Sequence, residues 1–150
     1  MLMLTSITSH ATGNPILDAE SDFRRARRSH HLARVGRWFA HKPRSRAPRA
    51  LSDPTGMVGG TARLQVVPLG SIVGTLEASP QFDARFRPAS RRVRHRWERI
   101  ALAHRRGDAL PPVVLRAGPD GYYVVDGRHR VSVARALGLN DIDGFVTGAC

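Results

Sequence analysis

The residues best placed to do chemistry occupy five consecutive positions, Asp126-Gly127-Arg128-His129-Arg130. One carboxylate, one glycine and three nitrogen-bearing side chains in so short a stretch suit the recognition of an anion. An arginine fork matches phosphate oxygens, and an imidazole can donate to them or stay neutral. The stretch also sits at a junction. Tyr122-Tyr123-Val124-Val125 before it is aromatic and β-branched, as in a buried or half-buried strand. Val131, Ala134 and Leu137 after it recur at three-residue intervals, which predicts a helix ended at Gly138. The N-terminus of a helix presents unpaired N–H groups and a partial positive charge, so it favours an anion too. Cationic side chains there oppose the dipole unless a phosphate is the partner.

Each residue has a plainer reading beside the functional one. Gly127 is needed for the turn with or without a ligand. Asp126 reads first as the helix cap and second as a base or a metal-proximal group. Arg130 reads as a phosphate ligand, with pairing to Asp126 or Asp143 as the alternative. His129, with a pKa near neutrality, donates to phosphate or stays neutral. Arg128 is a further phosphate contact or a solvated side chain. Glu77 and Asp83 are the acidic groups in the loop expected to face the turn. Either could hold a magnesium ion or act as a base, a surface carboxylate being the commoner case.

The elements that must position this turn begin at residue 61. Leu64–Val67 reads as a first strand, closed by Pro68 and Gly70. Ser71–Glu77 runs into Ala78–Asp83, which is loop-like with one or two helical turns. Ser90 starts a helix: Val93, Trp97, Ile100, Ala101 and His104 share one face, and His104 is expected in the core. Gly107 ends that helix. Arg92, Arg96, Arg99 and Arg106 stay on its outer side, and the run holding Arg91, Arg92, Arg94 and Arg96 is either a solvated face or a nucleic-acid contact. Leu110–Arg116 gives a second strand, and Ala117-Gly118-Pro119-Asp120-Gly121 is a hairpin loop leading to the strand before Asp126. Asp141–Val146 closes the domain as a short strand. The expected fold class is α+β, a small domain over 61–148 with a short mixed sheet against helices.

Residues 1–60 read differently. Met1–Asp18 has no hydrophobic period and is expected to be disordered. Ser21–Ala40 predicts a helix capped by Ser21, with Phe23, Ala26, Ala33 and Trp38 on one side. Arg24, Arg25, Arg27, Arg28, Arg34 and Arg37 lie on the other. Such a helix can lie along DNA, an anionic membrane or a partner, or dock Trp38 and Phe39 on the domain. Pro43, Pro48 and Pro54 mark 41–60 as a linker, and Met57 offers a second start.

The 150 residues carry a formal charge of +12, and of the 24 basic residues only Lys42 is not arginine. That sign favours nucleic acid, nucleotides or an anionic surface as partners. Cys150 is the sole cysteine, which excludes disulfide frameworks and cysteine-ligated zinc within one chain. The first ten residues lack the charged start and apolar run of a signal peptide, and no run approaches the roughly 20 apolar residues of a membrane span. A cytoplasmic protein is expected.

The order strand, loop, basic helix, Pro111-Pro112-Val113-Val114-Leu115, Gly-Pro-Asp-Gly hairpin and Tyr-Tyr-Val-Val-Asp-Gly-Arg-His-Arg-Val-Ser-Val-Ala resembles the ParB N-terminal/sulfiredoxin-like superfamily. The likeness covers about Gln65 to Val146 and is strongest over Pro111 to Gly138, nearest to small stand-alone ParB-like proteins. It implies that Gly127, His129 and Arg130 hold nucleotide phosphates. The expected cofactor is a nucleoside phosphate, ATP, ADP or CTP, with magnesium as a candidate companion. It also implies a DNA-associated role akin to chromosome partitioning. The departures limit this. Sulfiredoxin chemistry needs a cysteine where Arg128 stands, so peroxiredoxin repair is not expected. Segregation proteins carry Glu there and continue into a helix-turn-helix and dimerising tail, so centromere reading and a CTP-driven clamp are not implied. Free serine kinases share the fold and a catalytic Glu in the loop after the first strand, where Glu77 stands. Three readings follow: a nucleotide-binding module, a phosphotransferase or hydrolase with Glu77 as base, and a DNA-binding protein needing no nucleotide.

Overall fold

The computed structural model describes residues 11–39, 49–50 and 61–148. In chain order the elements are α1 (Pro15–Phe39), β1 (Arg49–Ala50), β2 (Arg63–Pro68), β3 (Ile72–Thr75), α2 (Arg94–Arg105), β4 (Val113–Gly118), β5 (Gly121–Asp126), α3 (Arg128–Ala136) and β6 (Asp141–Thr147). The strands form one mixed sheet in the order β1-β3-β5-β4-β6-β2. The β4–β5 hairpin is antiparallel, as is β6 with β2, whereas β3 with β5 and β4 with β6 are parallel. The α+β class is therefore as expected.

Helix α3 lies between two apolar layers. Val131 and Ala134 join Val67, Ile72, Val113 and Val124 against the sheet. Val133 instead joins Phe23, Phe82, Val93, Trp97 and Ala101 under the other two helices. The chain thus buries four successive residues of α3, Val131 to Ala134, wider than the single stripe read from Val131, Ala134 and Leu137. Between them Ser132 accepts a hydrogen bond from the Trp97 indole at 2.8 Å, both groups being buried. Ser90 starts the α2 region as expected, its hydroxyl accepting from Arg92 N at 3.1 Å, through one turn of 3-10 helix over Arg91–Val93.

Three local expectations are corrected. Ile72–Thr75 is a strand: Ile72 and Thr75 are buried, and β5 supplies its ladder partners. The following Ala78–Asp83 contains no helical turn, because Asp83 folds the segment back on itself. Its carboxylate accepts from Arg85 N and Arg87 N, and Phe82 bridges to Pro88. The first helix starts at Pro15, six residues before Ser21. Asn14 Oδ1 accepts from Ile16 N at 3.0 Å, and proline fits the first helical position, where its missing N–H costs nothing. Ser21 is inside the helix.

Helix α1 is also not a free basic rod. It runs antiparallel to α2, with Phe23 edge-on to Trp97 at 5.5 Å and Asp22 gripped by Arg105 at 2.7 and 2.9 Å. Further along, His30 Nδ1 meets Asp83 Oδ2 at 3.0 Å, and Arg87 reaches Ser29. The side chains of Arg37, Trp38 and Phe39, most of the 41–60 linker, residues 1–10 and Cys150 lie outside the described residues.

Candidate functional site

The five-residue turn joins β5 to α3. Gly127 is the N-cap, at φ +109°, and a Cβ there would come within 2.6 Å of Val113 Cγ1. Glycine is required both by the conformation and by the buried strand behind it. No side chain caps α3: its first bond runs from Val131 N to Gly127 O at 3.0 Å. The N–H groups of Arg128, His129 and Arg130 thus head an uncapped helix end.

Asp126 does not act as the cap. Its Oδ2 accepts from Arg130 Nη2 at 2.7 Å, the i,i+4 pairing that bends it along the helix instead of over its end. Arg130 is mostly buried and committed to the protein. Its other terminal nitrogen donates to the Pro111 and Pro112 carbonyls, the latter at 2.7 Å. A strand entered through two prolines lacks N–H donors there, so its carbonyls are free to take a guanidinium. Arg130 pairs with Asp126 and not with Asp143, which instead shares with it, His104 and Asp108 the wall of a cavity of about 280 Å³. His104 is accordingly half-buried at a cavity wall, not packed in the core.

His129 departs from the near-neutral expectation. Its ring stands perpendicular to Phe82 at 5.1 Å. Burial first, then the charges of Arg96 and Arg128, push its pKa down to about 4, against a weaker opposite pull from Asp126. At neutral pH it is an uncharged imidazole with one N–H to offer. Arg96 and Arg128 themselves make no hydrogen bond or ion pair among the described residues. Arg94, by contrast, is bound to Glu98 at 2.7 Å, which leaves Arg91, Arg92 and Arg96 as the open cations of the expected nucleic-acid run.

Glu77 is exposed and lies at the same sheet end as the turn. Thr75 pairs with Val124 in parallel register, and Leu76 N donates to Val124 O at 2.9 Å, so β3 ends just before Glu77 at the edge of the sheet where β5 reaches Asp126. Asp83 is different. It is 2% exposed, and Arg87, His30 and two backbone N–H groups occupy its oxygens. Those bonds outweigh the cost of burial and hold its pKa below the usual carboxylate range. It is a structural node with no lone pair to spare for a metal or a substrate. No group of three or more metal-ligating side chains occurs among the described residues.

Two parts of this surface were not legible beforehand. Phe82 was read only as part of a loop, yet it is the wall against His129. His31 was not singled out, and it joins Arg24, Arg27, Arg28, Arg91 and Arg94 around a groove of about 360 Å³ between α1 and the start of α2. A larger cavity of about 620 Å³ separates α1 from Phe86 and α3, with Arg135 in its wall bonded to the Leu69 and Ile72 carbonyls.

No protein-family model matches the chain, and no curated protein matches it. Among solved structures, sulfiredoxin from Arabidopsis thaliana is similar at 18% identity, over 58% of this chain and 86% of that chain, with a TM-score of 0.42. The α+β assignment rests on the element order and sheet topology themselves. No helix among the described residues is long and apolar enough to cross a membrane.

Proposed function

We propose that the chain binds a nucleoside phosphate, ATP, ADP, CTP or GTP, with the phosphate at the N-terminus of α3. The observation that carries this reading is the uncapped helix end flanked by Arg96 and Arg128, two guanidiniums without hydrogen-bond or ion-pair partners among the described residues, whose charge bears on His129. A helix end and paired cations both gain from an anion, and the neutral His129 ring can add a hydrogen bond. Arg130 holds the turn in shape through Pro111, Pro112 and Asp126 and is the scaffold of the site. Titration calorimetry against the four nucleotides, with and without magnesium, tests the proposal. At least one should bind, with affinity reduced roughly ten-fold or more in Arg96→Ala/Arg128→Ala, since each charge-assisted bond contributes about 1.5–3 kcal/mol. No binding by any of the four, or binding unchanged in that variant, overturns it.

A second reading, phosphotransfer or hydrolysis with Glu77 as base, is favoured by one specific observation. The parallel strands β3 and β5 end at one edge of the sheet, where the exposed Glu77 follows β3 and the turn follows β5. Product formation should then vanish in Glu77→Gln while nucleotide binding survives. Equal turnover in that variant ends this reading.

A further inference from the structure

The groove between α1 and the start of α2 is lined by Arg24, Arg27, Arg28, His31, Arg91 and Arg94. No carboxylate of the described residues lines it, and Phe23 adds an apolar side chain to its wall. Among the described residues, Arg94 is the only one of the six with an acidic partner, Glu98. Like charges collected in one place raise the free energy of the fold unless something offsets them. Arg27 holds its proton less tightly than usual, through burial and then Arg91. His31 is likewise shifted down, through burial and then Arg27 and its other cationic neighbours. Arg27 Nη1 is buried with no hydrogen-bond partner among the described residues, while Nη2 touches His31 at 3.1 Å. A buried guanidinium nitrogen without an acceptor is costly, and an anion in the groove would supply that acceptor.

The shape of the cluster identifies the anion. Arg24, Arg27, Arg28 and His31 follow one another at i, i+3, i+4 and i+7 on one face of α1, and Arg34 continues the row. At 1.5 Å per residue the row is about 15 Å long. That exceeds a single phosphate group, whereas duplex nucleic acid offers a negative charge roughly every 1.7 Å of its axis. An amphipathic helix on a bilayer would turn its apolar face outward. In α1 that face, Ala19, Phe23 and Ala26, is buried against the domain. We infer that this groove is a phosphate-backbone binding site for duplex nucleic acid, separate from the α3 turn and independent of any nucleotide bound there.

Fluorescence anisotropy of the full chain with a short labelled DNA duplex of arbitrary sequence, over a series of salt concentrations, tests this. Wild type should bind with a steep salt slope. Arg24→Gln/Arg27→Gln/Arg91→Gln should lose at least about ten-fold in affinity at low salt, and its slope of log K against log salt should flatten by roughly 2–3 units. The charge-matched control Arg63→Gln/Arg99→Gln/Arg106→Gln, whose three arginines are exposed and outside the groove, should lose much less. Leu32 and Val35 are exposed on α1, so vesicles of anionic phospholipid form a second arm. No duplex binding, equal loss in both triple variants, or groove-dependent binding to vesicles alone overturns the inference. If circular dichroism shows that the groove triple variant does not fold, Arg91→Gln and Arg24→Gln singly are held to the same comparison, with about 0.9 unit of slope expected for each.

Discussion

Arg130 Nη2 donates to Asp126 Oδ2 at 2.7 Å while Nη1 of the same guanidinium holds the Pro111 and Pro112 carbonyls. One side chain thereby ties the end of β5, the first turn of α3 and the entry to β4. The two halves of this clamp differ in worth. Asp126 is 65% exposed at its side chain, so its ion pair is screened and contributes little. The proline carbonyls have no comparable replacement. Arg130→Ala should therefore lower stability by about 1–3 kcal/mol, and Asp126→Asn by under about 1 kcal/mol. Urea denaturation of the two variants measures both, and equal losses would show that the ion pair, not the carbonyl clamp, is what matters.

Gly127→Ala should be among the most costly single substitutions in the turn. The added Cβ must accept a positive φ and approach Val113 within 2.6 Å. Together these should cost at least about 2 kcal/mol. A thermal melt close to that of wild type would mean that β4 can yield at Val113.

Ser132→Ala keeps the volume of the α3 core but removes the acceptor for Trp97 Nε1. Both groups are buried, so the orphaned indole N–H should cost about 1–3 kcal/mol. Tryptophan fluorescence during urea unfolding reports the loss, and an unchanged midpoint would mean that another acceptor takes over.

His129 makes stability depend on pH. Its folded pKa, about 4, lies below the unfolded value near 6.5, so between these limits the unfolded chain binds more protons. Stability should fall as pH drops from about 6.5 towards 4, and this part of the profile should be missing in His129→Gln. Burial, Arg96 and Arg128 cause the depression, and an anion at the helix end would counter the last two. The His129 titration followed by NMR should thus move to higher pH when a binding nucleotide is added. A midpoint that stays fixed with bound nucleotide would place the ligand away from this turn.

Much of the frame was legible in local pattern. The Tyr122–Val125 strand, the Gly118–Gly121 hairpin, the Ser90-started helix and the closing strand all declare themselves through β-branching, turn residues and helical spacing. These features depend on neighbours within a few positions. Ile72–Thr75 was missed because four residues carry too little periodicity, and the strand exists by pairing with β5, about fifty positions away along the chain. The start of α1 was misplaced because Ser21 and Asn14 are both competent caps. Proline at the next position and the burial of Ala19 against the domain favour Asn14.

The turn Asp126–Arg130 shows the same division. Its residue types, its place between strand and helix and the need for glycine follow from the sequence alone, since they rest on short-range backbone geometry. Which cations are spent and which are open was decided only in three dimensions. Arg130 found carbonyls 18 and 19 residues away, Asp83 was taken by His30 from 53 residues away, and His129 met Phe82. Charge and hydrogen-bonding partners are set by distance through space, and a linear pattern holds no record of which long-range partner arrives first.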